Sequence, residues 1–236
     1  KLNTVFLQLI VMIMSFAPLG VFCLIGKFVI ADGLDIFQDV LAYVVLLISL
    51  LLFHAAFTYS IFLKFIGGLS PLIFYRKMKD VALFAFSTSS SAATIPVTLK
   101  TVNQDLGVNQ NVASFVVPVG ATINMDGTAI MQGLATVFIA QMSGIDLTLF
   151  QYIQVVLLAV ATSIGTAAVP SAGTITLIII LQQFNLPLEA IGIILAVDRV
   201  LDMLRTSVNV TGDAAIACIV AKTENQLDEN IYNSKV

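Results

Sequence analysis

Apolar runs dominate the chain, and the polar interruptions within them carry most of the information. A helix needs about 20 mostly apolar residues to span a bilayer. Val5 to Ile30 is one such run, and Pro18 inside it predicts a kink. Val40 to Ile66 is a second. The later runs are broken. Val81 to Leu99 is interrupted by Ser87-Thr88-Ser89-Ser90-Ser91 and then by Pro96, leaving halves too short to cross. Val112 to Met142 is long enough but carries Asn124-Met125-Asp126-Gly127-Thr128 at its centre. Phe150 to Phe184 is broken at Gly165 to Gly173. Leu188 to Lys222 is a last long helix before a polar tail.

The order is thus a broken hairpin and a helix with a polar centre, then the same pair again. Lys64 lies at the end of the second span and Arg76, Lys77 and Lys79 follow it, while Asp32, Asp35 and Asp39 precede it. Cytoplasmic loops are the ones rich in Lys and Arg, so the Arg76 loop is expected inside and the Asp35 loop outside. The first hairpin then enters from the cytoplasm and the second from outside, an inverted-topology repeat. Such repeats form binding sites where their broken helices meet, and non-helical backbone at membrane depth persists only against protein or a water-filled cavity. The expected fold class is an all-α, polytopic membrane protein with two re-entrant helical hairpins. Four segments are expected: two transmembrane helices over 1–79, a first hairpin plus unwound helix over 80–142, a second hairpin plus amphipathic last helix over 143–222, and a cytoplasmic tail over 223–236.

Composition agrees with lipid as the solvent. Of 236 residues, 58% are hydrophobic and 11% charged, against about a quarter charged in soluble domains. The net charge of −3 is spread over loops and tail, and no basic patch points to nucleic acid. Cys23 and Cys218 read as buried small hydrophobes. His54, in an apolar run, reads as a satisfied polar residue on a packed helix face. The opening Lys1-Leu2-Asn3 has no initiator methionine and no signal-peptide pattern, and the chain reads as the C-terminal part of something longer.

The last helix holds the strongest chemical signal. Asp198, Asp202, Arg205, Asn209 and Asp213 are spaced by three or four and share one stripe, with Thr206 at its edge and Arg199 pointing elsewhere. Each mid-helix charge costs about 2.5–3.5 kcal/mol in lipid, so the four on the stripe would cost roughly 10–14 kcal/mol if lipid-facing. The stripe must face protein, water or ligand. One reading is an ion-pair lattice between helices. The other notes three carboxylates against one arginine, a charge excess that a hard cation such as sodium would balance through oxygen ligands. Arg205 is then a clamp for a carboxylate, Asp202 an acceptor for an ammonium group, and Thr206 and Asn209 neutral hydrogen-bonding partners.

The other interruptions fit that chemistry. Asn and Asp beside Gly127 suggest local unwinding that frees carbonyls for a cation. The serine run reads as a helix-breaking turn, a substrate lip, or both, since backbone groups near a helix N-terminus suit an anion. A hydrolase with one of these serines and His54 would need a nucleophile elbow, and no Gly-x-Ser-x-Gly is present. Gly165 to Gly173 is small and flexible, as a gate or a tightly packed re-entrant loop would be.

Four motifs carry a family likeness: Ser89 to Thr98, Gly120 to Thr128, Ser163 to Gly173 and Asp202 to Asp213. In that order they resemble the dicarboxylate/amino acid:cation symporter family, which includes the glutamate and aspartate transporters. The likeness covers nearly the whole chain. It implies a homotrimer in the cell membrane, multi-pass, with an elevator mechanism gated by two hairpins. It implies that Arg205 binds the substrate's side-chain carboxylate and Asp202 its amino group. Thr128, Thr206 and Asn209 would hydrogen-bond the substrate, and the serine run (Ser89, Ser90, Ser91) with Val169 and Gly173 would close around it. One sodium is implied among Gly120, Asn124, Asn209 and Asp213. A second is implied at Thr122, Met125, Ser163, Ile164 and Thr166, and a third at Asn124 and Asp126. Archaeal aspartate members have an arginine where Ser89 stands and animal glutamate members one where Met203 stands; this chain has neither.

The expected function is sodium-coupled symport of an acidic amino acid, aspartate or glutamate, with no cofactor beyond the coupling ion and no enzymatic activity. Alternatives are proton coupling, transport of a C4-dicarboxylate or a neutral amino acid, an ion channel, and an intramembrane enzyme.

Overall fold

The computed structural model describes residues 36–234 together with Met12, Leu19, Phe22, Cys23, Gly26 and Ile30. Most of the expected Val5 to Ile30 span, including Pro18, lies outside the described residues, as do Asp32 and Asp35. The described residues are helical throughout, apart from turns and one isolated antiparallel bridge, Val108 to Leu227.

Helix α1 starts at Ile36 and runs as α-helix to Phe53, then passes through two π-helical turns, His54–Thr58 and Phe62–Ile66. Its segment Phe37–Ile66 is the one helix among the described residues that is long and apolar enough to cross a membrane. Helix α2, Pro71–Thr88, begins with proline at its first turn, where no amide hydrogen is needed. It stops at Ser89, whose left-handed backbone (φ 51°) turns the chain. Ser90 then caps α3, Ser91–Gln104, accepting from the Ala93 amide at 3.2 Å. Asn109 caps α4, Gln110–Ile123, and α5 follows as Asp126–Met142. A capping box of Thr148 and Gln151 starts α6, Leu149–Ile164. Helix α7 is Ala172–Gln183, α8 is Ile191–Thr223 and α9 is Glu229–Asn233.

Several expected boundaries move. The break in the serine run is confined to Ser89 and Ser90, with Ser87 and Thr88 closing α2. Pro96 does not break α3, which continues for two turns beyond it. The segment boundary at 79/80 falls inside α2, because the charged stretch Arg76 to Asp80 continues the helix.

Helix α8 is the axis of the packing, touching α1, α2, α3, α4, α5 and α7. Its stripe is buried as the spacing requires, and Gly212 lets it approach α1. A methyl group on Gly212 would stand 2.5 Å from Tyr59 Oη. The outer surface is apolar instead. On α6, Leu149, Phe150, Ile153, Val156, Leu157, Val160 and Ile164 are exposed, while Val155, Ala159 and Ser163 face inward. This is the reverse of a water-soluble helix. Cys218 is buried as expected, but Cys23 is exposed on its helix, so that part of the expectation is corrected.

The tail is not loose. The Asp228 backbone amide donates to the Gly107 carbonyl at 2.8 Å, and Tyr232 is fully buried, its hydroxyl donating to Ser70 O at 3.0 Å. Burial pushes the Tyr232 phenol above its ordinary range. Lys77 Nζ fastens α2 to the tail by donating to the carbonyls of Ile231 and Tyr232, and also to that of Asp105.

Candidate functional site

The break between α4 and α5 comprises Asn124 and Met125, whose backbone leaves the helical region (ψ 70° and 54°). Asp126, Gly127 and Thr128 form the first turn of α5, so the unwinding is shorter than the motif suggested. Even so, it faces α8. The Gly127 amide donates to Asn209 Oδ1 at 2.7 Å, and Asn124 Nδ2 donates to Asp213 Oδ1 at 3.0 Å. Glycine is required on both sides of this contact. A methyl group on Gly127 would sit 2.9 Å from Arg205 Cγ, and one on Gly120 would sit 2.6 Å from Asp213 Oδ1.

The two helix tips close over α8. Ser90 Oγ donates to Ala168 O at 2.9 Å, and the Ala92 amide donates to the same carbonyl at 3.3 Å. From the second tip, the Ser171 amide donates to Asp202 Oδ2 at 2.9 Å; Ser171 holds a left-handed backbone (φ 59°). Thr174 Oγ1 donates to Asp198 Oδ1 at 2.6 Å. Arg205 lies between these carboxylates, paired with Asp202 and standing 3.6 Å from Asp198 Oδ1. It is 2% exposed. Its Nη1, with Asp198 Oδ2 and Tyr43 Oη, is buried without a hydrogen-bond partner among the described residues.

Between the tips and α8 lies a cavity of about 20 Å³, on the order of one water molecule. Its lining includes Ser89, Ser91, Thr128, Val169, Gly173, Asp202, Arg205, Thr206 and Asn209, all named from the sequence. Ser90 is absent from it, because its side chain is spent on the cap and on Ala168. A larger cavity of about 460 Å³ lies between α1 and α5, bordered by Leu46, Leu134 and Phe138 with Asp39 and Gln141 at its edge. The smaller one holds the convergent charged and polar groups, and chemistry rather than size selects it.

The residues of the three implied ion sites are brought together unequally. Gly120, Asn124 and Asp213 meet, and Asn209 lies one turn before Asp213 on the same stripe. Met125 and Thr166 share the cavity lining. The hydroxyls of Thr122 and Ser163 bond to carbonyls of their own helices, and Ile164 faces outward. Asp126 accepts from Tyr59 Oη at 3.0 Å and stands 3.2 Å from His54 Nε2. His54 is thus the satisfied polar residue expected. On a regular helix His54 and Tyr59 would point about 140° apart. The π turn between them, with its i→i+5 bonding, lets both reach one carboxylate.

Sequence reasoning missed Gln132. It is fully buried, donating from Nε2 to Gly173 O at 2.9 Å and to Thr176 Oγ1 at 2.8 Å, and accepting from Thr162 at Oε1 (2.8 Å). It ties both arms of the second helix pair to α5. The signal was available, since Thr128, Gln132 and Thr136 fall on one helix face. Tyr59, Ser171 and Thr174 were missed as well, and nothing local in the sequence marks them.

Comparison with known proteins returns the family inferred from the four motifs. The Sodium:dicarboxylate symporter family matches residues 1–223. An excitatory amino acid transporter of Caenorhabditis elegans is 40% identical over 221 residues, covering 93% of this chain and 44% of that protein. Human excitatory amino acid transporter 2 is 41% identical, covering 93% and 38%. Mouse excitatory amino acid transporter 1 is 42% identical over 222 residues, covering 93% and 41%. The chain spans less than half the length of these relatives, all of them transporters rather than enzymes by name. A buried arginine between two carboxylates under two facing tips, together with a match over 223 residues, leads to one assignment: the chain belongs to the sodium:dicarboxylate symporter family.

Proposed function

We propose that the protein is a multi-pass membrane carrier that couples sodium entry to uptake of an acidic amino acid, aspartate or glutamate. The observation that carries this is Arg205. It is buried, it lines the cavity, and its Nη1 has no hydrogen-bond partner among the described residues. A planar guanidinium with a spare donor suits a carboxylate. Asp202, held by the Ser171 amide, is placed to take an ammonium group in its stead. That pairing favours an amino acid over a plain dicarboxylate, and the arginine disfavours a neutral substrate. The names of the relatives point the same way.

Asp213 supports the cation. It is 2% exposed, and its hydrogen bond is to a neutral partner, Asn124. A buried carboxylate without a cationic partner is costly, and sodium beside Gly120, Asn124, Asn209 and Asp213 would relieve that cost. Thr122, Met125, Ser163, Ile164 and Thr166 would supply a second ion site, and Asn124 with Asp126 a third.

In this reading the helix pairs α2–α3 and α6–α7 are re-entrant hairpins of an inverted repeat. They are the gates of a transport domain that slides, in a homotrimer, past a static scaffold. A cavity of about 20 Å³ is far below the size of an amino acid, so at least one tip must move to admit substrate. The exposed apolar residues of α1 and α6 suit lipid or a scaffold of matching character.

The test is radiolabelled aspartate uptake by the protein in liposomes, with sodium and proton gradients imposed separately. Uptake driven by sodium alone is expected. Uptake driven only by protons would replace the coupling ion, and non-saturating flux would favour a channel.

A further inference from the structure

Arg199 is a charged residue in the middle of α8 that the site leaves unused. It is exposed and off the buried stripe, three residues before Asp202. Yet its guanidinium is engaged, since Nη1 donates to Ser89 Oγ at 3.2 Å, across 110 residues of sequence. Ser89 is the turning residue of the first tip. It is 2% exposed, its backbone is left-handed, and it lines the cavity together with Asp202 and Arg205. Its hydroxyl is therefore gripped by Arg199, while the residue itself forms part of the cavity wall.

The two tips are tied to α8 differently. The second tip is fastened to Asp202 and Asp198 on the buried stripe, through Ser171 and Thr174. Those are charges that a bound ligand would compete for. Arg199 fastens the first tip from outside the stripe, where a ligand in the cavity does not compete.

We propose that Arg199 is a positioning residue for substrate binding. It latches Ser89 so that the first tip keeps the orientation in which its backbone faces the cavity, and it adds a second positive charge next to the lining residue Ser89. The proposal rests on the cavity being the substrate site. An acidic amino acid carries two carboxylates and one ammonium, net −1, and it enters beside two buried carboxylates and one buried arginine, also net −1; Arg199, bonded to the lining residue Ser89, is a further cation close to that surplus.

The experiment compares aspartate uptake by the unaltered protein, Arg199→Ala, Arg199→Lys, Ser89→Ala and the Arg199→Ala/Ser89→Ala double variant in liposomes. Loss of a charged hydrogen bond is expected to raise KM about tenfold, with the maximal rate within about twofold. Arg199→Lys is expected to restore part of the affinity and most of its sensitivity to ionic strength, because the charge remains. The double variant is expected to match Arg199→Ala, since one bond is lost only once. An unchanged KM in Arg199→Ala overturns the proposal, as does a double variant whose KM is the product of the two single effects. Should Arg199→Ala fail to fold, Arg199→Gln carries the same comparison. If the unaltered protein shows no saturable aspartate uptake, the substrate reading fails, independently of the latch.

Discussion

Arg205 has Asp202 as its partner and Asp198 close by, and it still keeps one donor unspent. Removing its side chain strands two buried carboxylates. Arg205→Ala is therefore expected to abolish uptake of acidic substrates and to lower stability by about 3–5 kcal/mol, read as a drop in melting temperature of the detergent-solubilised protein. Unchanged aspartate uptake would remove the clamp assignment. Asp213 is the second test at this scale. Asp213→Asn keeps the shape and the bond to Asn124 but removes the charge, so the sodium concentration for half-maximal uptake is expected to rise about tenfold, on the order of one charged contact. A superimposable sodium titration would count against the ion site. Both residues were legible before any coordinates, because a period of 3.6 puts Asp198, Asp202, Arg205, Asn209 and Asp213 on one face. Their partners were not. Ser171 reaches Asp202 across 31 residues, Thr174 reaches Asp198 across 24 and Tyr59 reaches Asp126 across 67, and such contacts leave no periodic trace.

The elements were readable to the extent that polarity interrupts them. Ser89-Ser90, Asn124-Met125 and Gly165 to Ser171 are all real breaks. Pro96 was a false break, since a proline near a helix start disturbs little beyond its first turns. The π turns of α1 were invisible, as no residue type announces them. The hydroxyl of Tyr75 donates to Ala55 O, inside the first of them. Close packing makes the start of α7 a sensitive point. A methyl group on Gly173 would lie 2.8 Å from Thr128 Cγ2 and 3.4 Å from the Arg205 guanidinium. Gly173→Ala must push α7 off its seat, and substrate affinity measured by calorimetry is expected to fall at least about tenfold. Gly107 is a purely structural counterpart. Its φ is +74°, and a methyl group there would stand 2.4 Å from Asp228 O. Gly107→Ala is expected to cost about 1–3 kcal/mol in melting experiments while leaving substrate affinity alone.

At the scale of the molecule, two helix pairs lean their tips together over a central helix, and a tail locked by Lys77 braces the first pair from below. The tips touch through Ala92 and Ala168. Cysteines at those two positions, in a Cys23→Ser background, are expected to form a bridge on mild oxidation that stops uptake, and reductant is expected to restore it. Continued transport through the bridged form would mean that the tips do not part. The size of the space beneath them sets a further constraint. On the proposed function, a chamber holding about one water must enlarge to take an amino acid, so ligand arrival and enclosure are separate events. In a rapid-mixing trace the observed rate should therefore climb with aspartate concentration and then level off, the plateau reporting how fast the lid moves and not how often the guest knocks.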